Sequence, residues 1–189
     1  MKKNGCCSDS WSCVLINKPL KPESIRNVRF IGPVELSGFD KRGYGKDGIN
    51  RVSGLYNSVI KDCSIGRDVS LTNIGFLEGY DIGEHSVLEN VTSLIHNGKP
   101  LEIKINLRNE NGGRACSIFP GITLQELLLI SESPGDHDLA DALDGMTRKA
   151  WKKAGKGRLG AFSSLINCGR ISNTDIDDYS SIEFTPMVF

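Results

Sequence analysis

What the chain lacks narrows the field first. No apolar run approaches the roughly 20 residues needed to cross a bilayer. The opening Met1-Lys2-Lys3-Asn4 has no apolar stretch behind it, so no secretory leader is expected. Net charge is absent: 23 basic residues face 23 acidic ones. That removes the broad positive field of a nucleic-acid binder. Histidine is scarce, with only His85, His96 and His137, so proton transfer near neutral pH has few candidates. At 189 residues the chain can build one domain with a real core, and is short for two. A cytoplasmic protein with reduced thiols and no membrane span is expected. The six cysteines do include a cluster, Cys6, Cys7 and Cys13. No second Cys or His pair sits at ligand spacing, so no metal site is expected there. Residues 1–22, broken by Lys18-Pro-Leu-Lys-Pro22, are read as a flexible arm.

What is present is a rhythm. Apolar residues recur at Val59, Ile65, Leu71 and Leu77, then slip by one to Ile82, Leu88 and Leu94. A step of six is neither helical nor a plain strand alternation. It fits short strands joined by tight turns, wound so that every sixth side chain enters one core. Ile25 and Ile31 start the same step in a first, partial coil. The pattern returns from Leu159: laid on the segment beginning at Ile65, Gly66 falls on Gly160, Leu71 on Leu165, Asn73 on Asn167 and Asp81 on Asp175. Both copies drop from six to five at the same place, which gives a 17-residue coil and marks a true repeat. Gly66, Gly83 and Gly160 suit tight corners, and Asn73 and Asn167 suit equivalent corners that bridge neighbouring coils.

Between the two copies the periodicity changes. Leu101-Glu-Ile-Lys-Ile-Asn-Leu107 alternates as a half-buried strand, Asn109-Glu-Asn-Gly-Gly113 is turn chemistry, and Arg114 to Phe119 returns as a second strand. Thr123 and Glu126 form a capping box ahead of one helix. A second helix is expected over 138–153, with acids early and bases late, as the helix dipole favours. The chain thus divides into an arm (1–22), coils (23–96), an inserted hairpin and two helices (97–156), and further coils (157–189). The fold class is mainly β, a solenoid interrupted by this insertion. Ahead of it, Gly43, Gly45 and Gly48 spell a G-x-G-x-x-G, but Ile49 to Asn57 does not read as the helix a dinucleotide site needs, so a loop is expected.

The hexads Ile65-Gly-Arg-Asp-Val-Ser70, Ile82-Gly-Glu-His-Ser-Val87 and Leu159-Gly-Ala-Phe-Ser-Ser164 resemble those of the hexapeptide-repeat proteins. That superfamily folds as a left-handed parallel β-helix. It includes acyltransferases using acyl-CoA or acyl carrier protein, and domains appended to sugar nucleotidyltransferases. The order of Gly54-Leu-Tyr-Asn57, Tyr80-Asp-Ile-Gly83, Asn109 to Arg114 and Ile166-Asn-Cys-Gly169 is similar to the N-terminal part of a family of long bacterial β-helix proteins of unknown function, over roughly residues 24 to 184. Some of those carry a sugar-nucleotide acyltransferase or nucleotidyltransferase label by fold analogy. The resemblance implies that this chain is the front piece of a longer design.

Two functions follow as expectations. One is a hexapeptide-type transferase, moving an acyl group from acyl-CoA or acyl carrier protein to a nucleotide-linked or phosphorylated sugar. It would work as a homo-oligomer, a trimer being favoured, with no permanently bound cofactor. The other is a non-catalytic β-helix scaffold or regulatory sugar-binding module. For the first, the candidate general bases are His85, outward-facing in a coil, and His96, where the chain leaves the repeat. His137, between Asp136 and Asp138, reads as a local ion pair. For sugar binding the candidates are Asn109, Glu110 and Arg114 in the projecting turn, whose charges either pair with each other or meet a ligand. Tyr56, Asn57 and Tyr80 are either a groove wall or packing at the insertion's base.

Overall fold

A computed structural model of the chain describes residues 1–17, 20–40, 42–44, 49–98, 104–106, 115–117, 122–132, 138–139, 141–142, 145–146, 149 and 155–188. Strands are numbered in chain order. The chain forms two compact units, Met1–Asn97 with Lys156–Phe189, and Gly98–Gly155.

The first unit is built on two parallel sheets. One runs β1 (Cys7–Ser8), β3 (Ile25–Ile31), β7 (Gly54–Lys61), β9 (Ser70–Glu78), β11 (Val87–Ile95), β15 (Ser164–Ile166) and β17 (Ser181–Glu183). Beside β11 lies β16 (Arg170–Ser172), and beside β16 lies β18 (Met187–Val188). The other sheet runs β14 (Gly157–Leu159), β10 (Tyr80–Ile82), β8 (Ser64–Ile65), β4 (Val34–Leu36) and β2 (Val14–Ile16). The stretch expected to be a flexible arm therefore supplies β1 and β2 to the two sheets. Cys6 is in the core at 6% exposure. The apolar Val14, Leu15 and Ile16 pair with Val34, Glu35 and Leu36, and so cover an edge that would otherwise stay open.

Register explains the rhythm. Leu71 pairs with Leu88, Leu88 with Leu165 and Leu165 with Ile182. Leu77, Leu94, Ile171 and Val188 form a second column, and Ile65, Ile82, Leu159 and Ile176 a third. Like side chains thus stack about 4.8 Å apart, strand upon strand. Each fully buried Leu or Ile stabilises the unit by about 1.5–3 kcal/mol. The two copies seen in the sequence lie two turns apart, with the Ile82–Leu94 turn between them.

The earlier turns break the six-residue step. Val59 and Ile31 are half-buried, while Ile60 and Phe30 are at 0% exposure. The reason is a bulge between β7 and β9, where the register shifts between Tyr56 and Ile60. β9 carries one residue more than β7 across that stretch, so its partner reaches the core in steps of five.

Corners carry the second half of the code. Asn27, Asn57, Asn73, Asn90 and Asn167 all hold left-handed backbone, with φ of 51, 49, 57, 54 and 53°. Asparagine tolerates that region better than most residues. Their amides form a ladder, each Nδ2 donating to the next Oδ1 at 3.1, 3.1, 3.0 and 2.9 Å. Just inside the corners sit small hydroxyls and thiols. Ser163 Oγ donates to Ala161 O and, in the next turn, Asp177 O; Cys63 Sγ does the same with Lys61 O and Leu77 O. Gly66 and Gly83 do not occupy the left-handed positions, which fall two residues later at Asp68 and His85. Glycine serves there because turns approach closely: a Cβ on Gly66 would lie 2.7 Å from Ile82 O.

Beside the sheets, β5 (Arg42–Tyr44) and β6 (Asn50–Val52) pair antiparallel. A strand therefore follows the G-x-G-x-x-G where a dinucleotide site needs a helix; residues 45–48 lie outside the described residues. In the second unit, β12 (Lys104–Asn106) pairs antiparallel with β13 (Ala115–Ser117), Ile105 opposite Cys116. Helix α1 (Leu124–Glu132) begins with the reciprocal capping box: Thr123 N donates to Glu126 Oε2 at 2.6 Å, and Glu126 N to Thr123 Oγ1 at 3.3 Å. The Glu126 carboxylate accepts from both Thr123 N and Thr123 Oγ1, and these two bonds hold the carboxyl below its usual range. Of the second helix expected over 138–153, the described residues 138–139, 141–142, 145–146 and 149 are helical.

Candidate functional site

The outward face of the second sheet forms an open groove of about 640 Å³. Alternation along each short strand places Tyr80 and Ile82 inward and Asp81 outward. Register then aligns Glu35, Ser64, Asp81 and Arg158 across the sheet. Lys156, the first residue after the second unit, lays its Nζ 2.9 Å from Ser64 Oγ and 3.3 Å from Asp81 Oδ1. Arg158 pairs with Asp178 at 2.8 Å and with Asp177 at 3.8 Å. Asp178 also accepts from Ala161 N, and Asp175 from Arg158 N, so the rim is pinned to the backbone of the neighbouring turn. Gly66, Gly83, Gly160, Asn17 and Ser37 complete the lining. The result is a shallow surface of hydroxyls, carboxylates, an amide and two cations. Its ion pairs are solvent-exposed and individually weak, so an incoming polar ligand can replace them at little cost.

The histidines sit at opposite ends of β11, one just before it and one just after. His85 stands in a left-handed corner (φ 58°), where its ring stacks on Phe162 at 4.9 Å and Phe162 stacks on Tyr179 at 5.2 Å. These three rings occupy the same corner of successive turns, the one that follows Gly83 and Gly160 in the groove lining. His96 is only 7% exposed, edge-on to the Tyr80 ring at 5.8 Å, and its Nδ1 has no hydrogen-bond partner among the described residues. Tyr80 is fully buried; its hydroxyl donates to Thr174 O at 2.7 Å and accepts from Thr174 N at 3.3 Å. Burial pushes its phenol up to about 12, against a smaller pull from the Thr174 bond.

Asn57 is the second rung of the amide ladder, so both ends of its amide are engaged by Asn27 and Asn73. Tyr56 is half-buried beside Arg26, and its phenol is raised by burial and lowered in part by that guanidinium. Asn109, Glu110 and Arg114 lie outside the described residues, as does His137. The structure therefore brings together His96 with Tyr80, and Asn57 with the asparagine column, and leaves His85 with aromatics.

The groove residues Ser64, Asp81, Lys156 and Arg158 were not singled out by sequence reasoning. Asp81 carried a faint signal, as a charge between two inward residues that recurs at Asp175. Lys156 and Arg158 carried none, because the second unit separates them from their neighbours by about 75 positions of chain. Among the described residues, no three His, Cys, Asp or Glu side chains are grouped to hold a metal. No helix there is long and apolar enough to cross a membrane.

Comparison with known proteins adds kinship. An uncharacterized protein of Treponema pallidum (strain Nichols) is 25% identical over 142 residues, covering 68% of this chain and 19% of that protein. The chain thus spans about a fifth of the length of the curated relative it matches. A family model described as a domain of unknown function matches residues 1–188. Corners, columns and groove thus all lie within one matched unit, and the chain belongs to the family Domain of unknown function (DUF4954).

Proposed function

We propose that the parallel ladders are turns of a left-handed β-helix of the hexapeptide-repeat kind, and that the chain is a non-catalytic, sugar-binding module of that fold. The groove over β8, β10 and β14 takes the ligand, a sugar or sugar nucleotide. Left-handed corner residues, short parallel strands and the 17-residue offset between bonded neighbours such as Asn73 and Asn90 support the fold reading. Side chains that bond their own backbone two residues back, as Cys63 and Cys168 do through their thiols, fit a reducing cytoplasmic setting.

One observation carries the functional reading. The groove holds Lys156 within bonding reach of both Ser64 and Asp81, which is the donor and acceptor mix that hydroxyl-rich ligands require. Meanwhile the two described histidines are placed for packing, one in an aromatic stack and one behind Tyr80. The acyl-transfer reading needs one of them to reach an acceptor hydroxyl.

The deciding experiment titrates free sugars and sugar nucleotides by NMR and assays acetyl transfer from acetyl-CoA on the same samples. Saturable shifts at Ser64 and Asp81 are expected, weakened about tenfold by Asp81→Asn or Lys156→Gln, without acetyl-CoA consumption. Absence of any shift, or acetyl transfer that disappears in His85→Ala or His96→Ala, would overturn the module reading.

A further inference from the structure

The groove's charges are not balanced. Its lining holds three carboxylates, Glu35, Asp81 and Asp178, against two cations, Lys156 and Arg158. Both cations are taken. Lys156 Nζ lies 3.3 Å from Asp81 Oδ1 and 2.9 Å from Ser64 Oγ, and Arg158 lies 2.8 Å from Asp178. Arg67, which follows Gly66 of the lining, is also engaged, by Glu84 at 3.4 Å and Asp68 at 3.8 Å. Glu35 is left over: among the described residues its carboxylate has no ion pair and no hydrogen bond.

Glu35 is firmly placed all the same. Its neighbours Val34 and Leu36 are at 0% exposure, so strand alternation turns its side chain outward. Its N–H donates to Cys63 O at 2.9 Å, which ties β4 to the turn that carries Ser64. Register sets Glu35 beside Ser64 and two strand spacings from Asp81, about 10 Å across the sheet. That span suits one sugar ring with its substituents, lying between a bare carboxylate and the Lys156–Asp81 pair.

Ligands of opposite charge meet different costs here. An anionic group, such as a sugar phosphate, must take Lys156 or Arg158 from its carboxylate, and then lies against that carboxylate and Glu35. A cationic group pairs with Glu35 and breaks nothing. We propose that the groove is specific for a protonated amino sugar, with its ammonium on Glu35 and its hydroxyls on Ser64, Asp81 and Lys156. Amino-sugar specificity rests on the sugar-binding reading of the groove and narrows it to ligands without phosphate.

NMR titrations of the full chain with glucose, glucosamine, N-acetylglucosamine, glucose 6-phosphate and ethylamine test it. Glucosamine is expected to shift the Glu35 and Ser64 amides and to bind about fivefold tighter than glucose or N-acetylglucosamine, which offer similar rings without the charge. High salt should shrink that ratio. Glu35→Gln, which keeps the side-chain shape, should bring the ratio to about one, an outcome that loss of folding cannot produce. Glucose 6-phosphate should be the weakest of the sugars. Equal binding of glucosamine and the neutral sugars, tighter binding of the phosphate, a ratio indifferent to Glu35→Gln, or ethylamine binding as tightly as glucosamine overturns the amino-sugar assignment while the groove still takes sugars. Absence of shifts with every sugar overturns both.

Discussion

Among the described residues, twelve that are not glycine hold left-handed backbone, and eight of them are Asn or Asp. The remaining four, His85, Phe162, Tyr179 and Phe184, are aromatic. Asparagine meets the corner's demand twice, by tolerating the conformation and by bonding sideways to the next turn. His85, Phe162 and Tyr179 replace the amide bond with ring stacking, and all four aromatics accept the steric cost, about 1–2 kcal/mol per residue. Asn90 is the sharpest test, since it accepts from Asn73 at 3.0 Å and donates to Asn167 at 2.9 Å. Asn90→Ala should lower unfolding free energy by about 2 kcal/mol, combining two lost bonds with left-handed strain. Asn90→Gly loses the same bonds without the strain, and should recover about 1 kcal/mol of that in urea denaturation. Equal losses would mean that the backbone conformation contributes nothing.

Between elements, polar contacts also run from turn to turn. β8 and β10 meet where Tyr80 N donates to Cys63 Sγ at 3.5 Å, with both side chains fully buried. Burial pushes the Cys63 thiol up to about 11 from 9.0 and the Tyr80 phenol up to about 12 from 10.0, in each case outweighing the backbone bonds that lower it. Both groups are neutral when protonated, and the folded chain keeps protons that the unfolded chain releases. Stability is therefore fully present below pH 9.0 and falls as pH rises, from about 9 to 11 for Cys63 and from about 10 to 12 for Tyr80. The loss is on the order of 2 kcal/mol for each group. Urea midpoints across pH 8 to 11.5 check this. Tyr80→Phe should flatten the upper part of the decline, and an unchanged profile in that variant would remove Tyr80 from the account.

Much of this architecture was legible in sequence, because contacts between adjacent turns recur at a fixed separation. A 17-residue spacing converts three-dimensional stacking into a one-dimensional pattern of Leu71, Leu88 and Asn73, Asn90. The bulge at Tyr56–Ile60 was hidden. A one-residue difference between neighbouring turns shows only when the two are aligned in space, and apolar Val59 beside Ile60 offered a plausible wrong choice.

For the whole molecule, the feature that matters is that the second unit interrupts the chain without interrupting the sheets. β11 pairs with β15 and β16, and β10 with β14, straight across Gly98–Gly155. A Cβ on Gly157 would lie 2.9 Å from His96 Cβ, so the exit and return points are neighbours. Replacing residues 98–155 by about four Gly and Ser residues should therefore leave the parallel sheets intact. Closing a shorter loop also costs less entropy, and each halving of its length is worth about 0.6 kcal/mol. A single cooperative urea transition at equal or higher midpoint is expected; a non-cooperative or unfolded product would show that the second unit is needed for the first.

The candidate site divides along the same line. Asp81 and Ser64 belong to strands whose alternation is written locally, and their outward direction follows from the inward Ile65 and Ile82. Lys156 and Arg158 reach the groove only because the chain returns from the second unit alongside β10.

From its residues alone, the chain determined a repeating β structure, its aliphatic columns, its asparagine corners and its want of net charge, since each depends on neighbours at short or regular separation. Tertiary structure alone decided that His85 stands in an aromatic stack, that His96 is buried against Tyr80, and that Lys156 faces Asp81. These are meetings of residues from different turns, set by register across a long excursion of the chain, and no local pattern of hydrophobicity or propensity encodes that register.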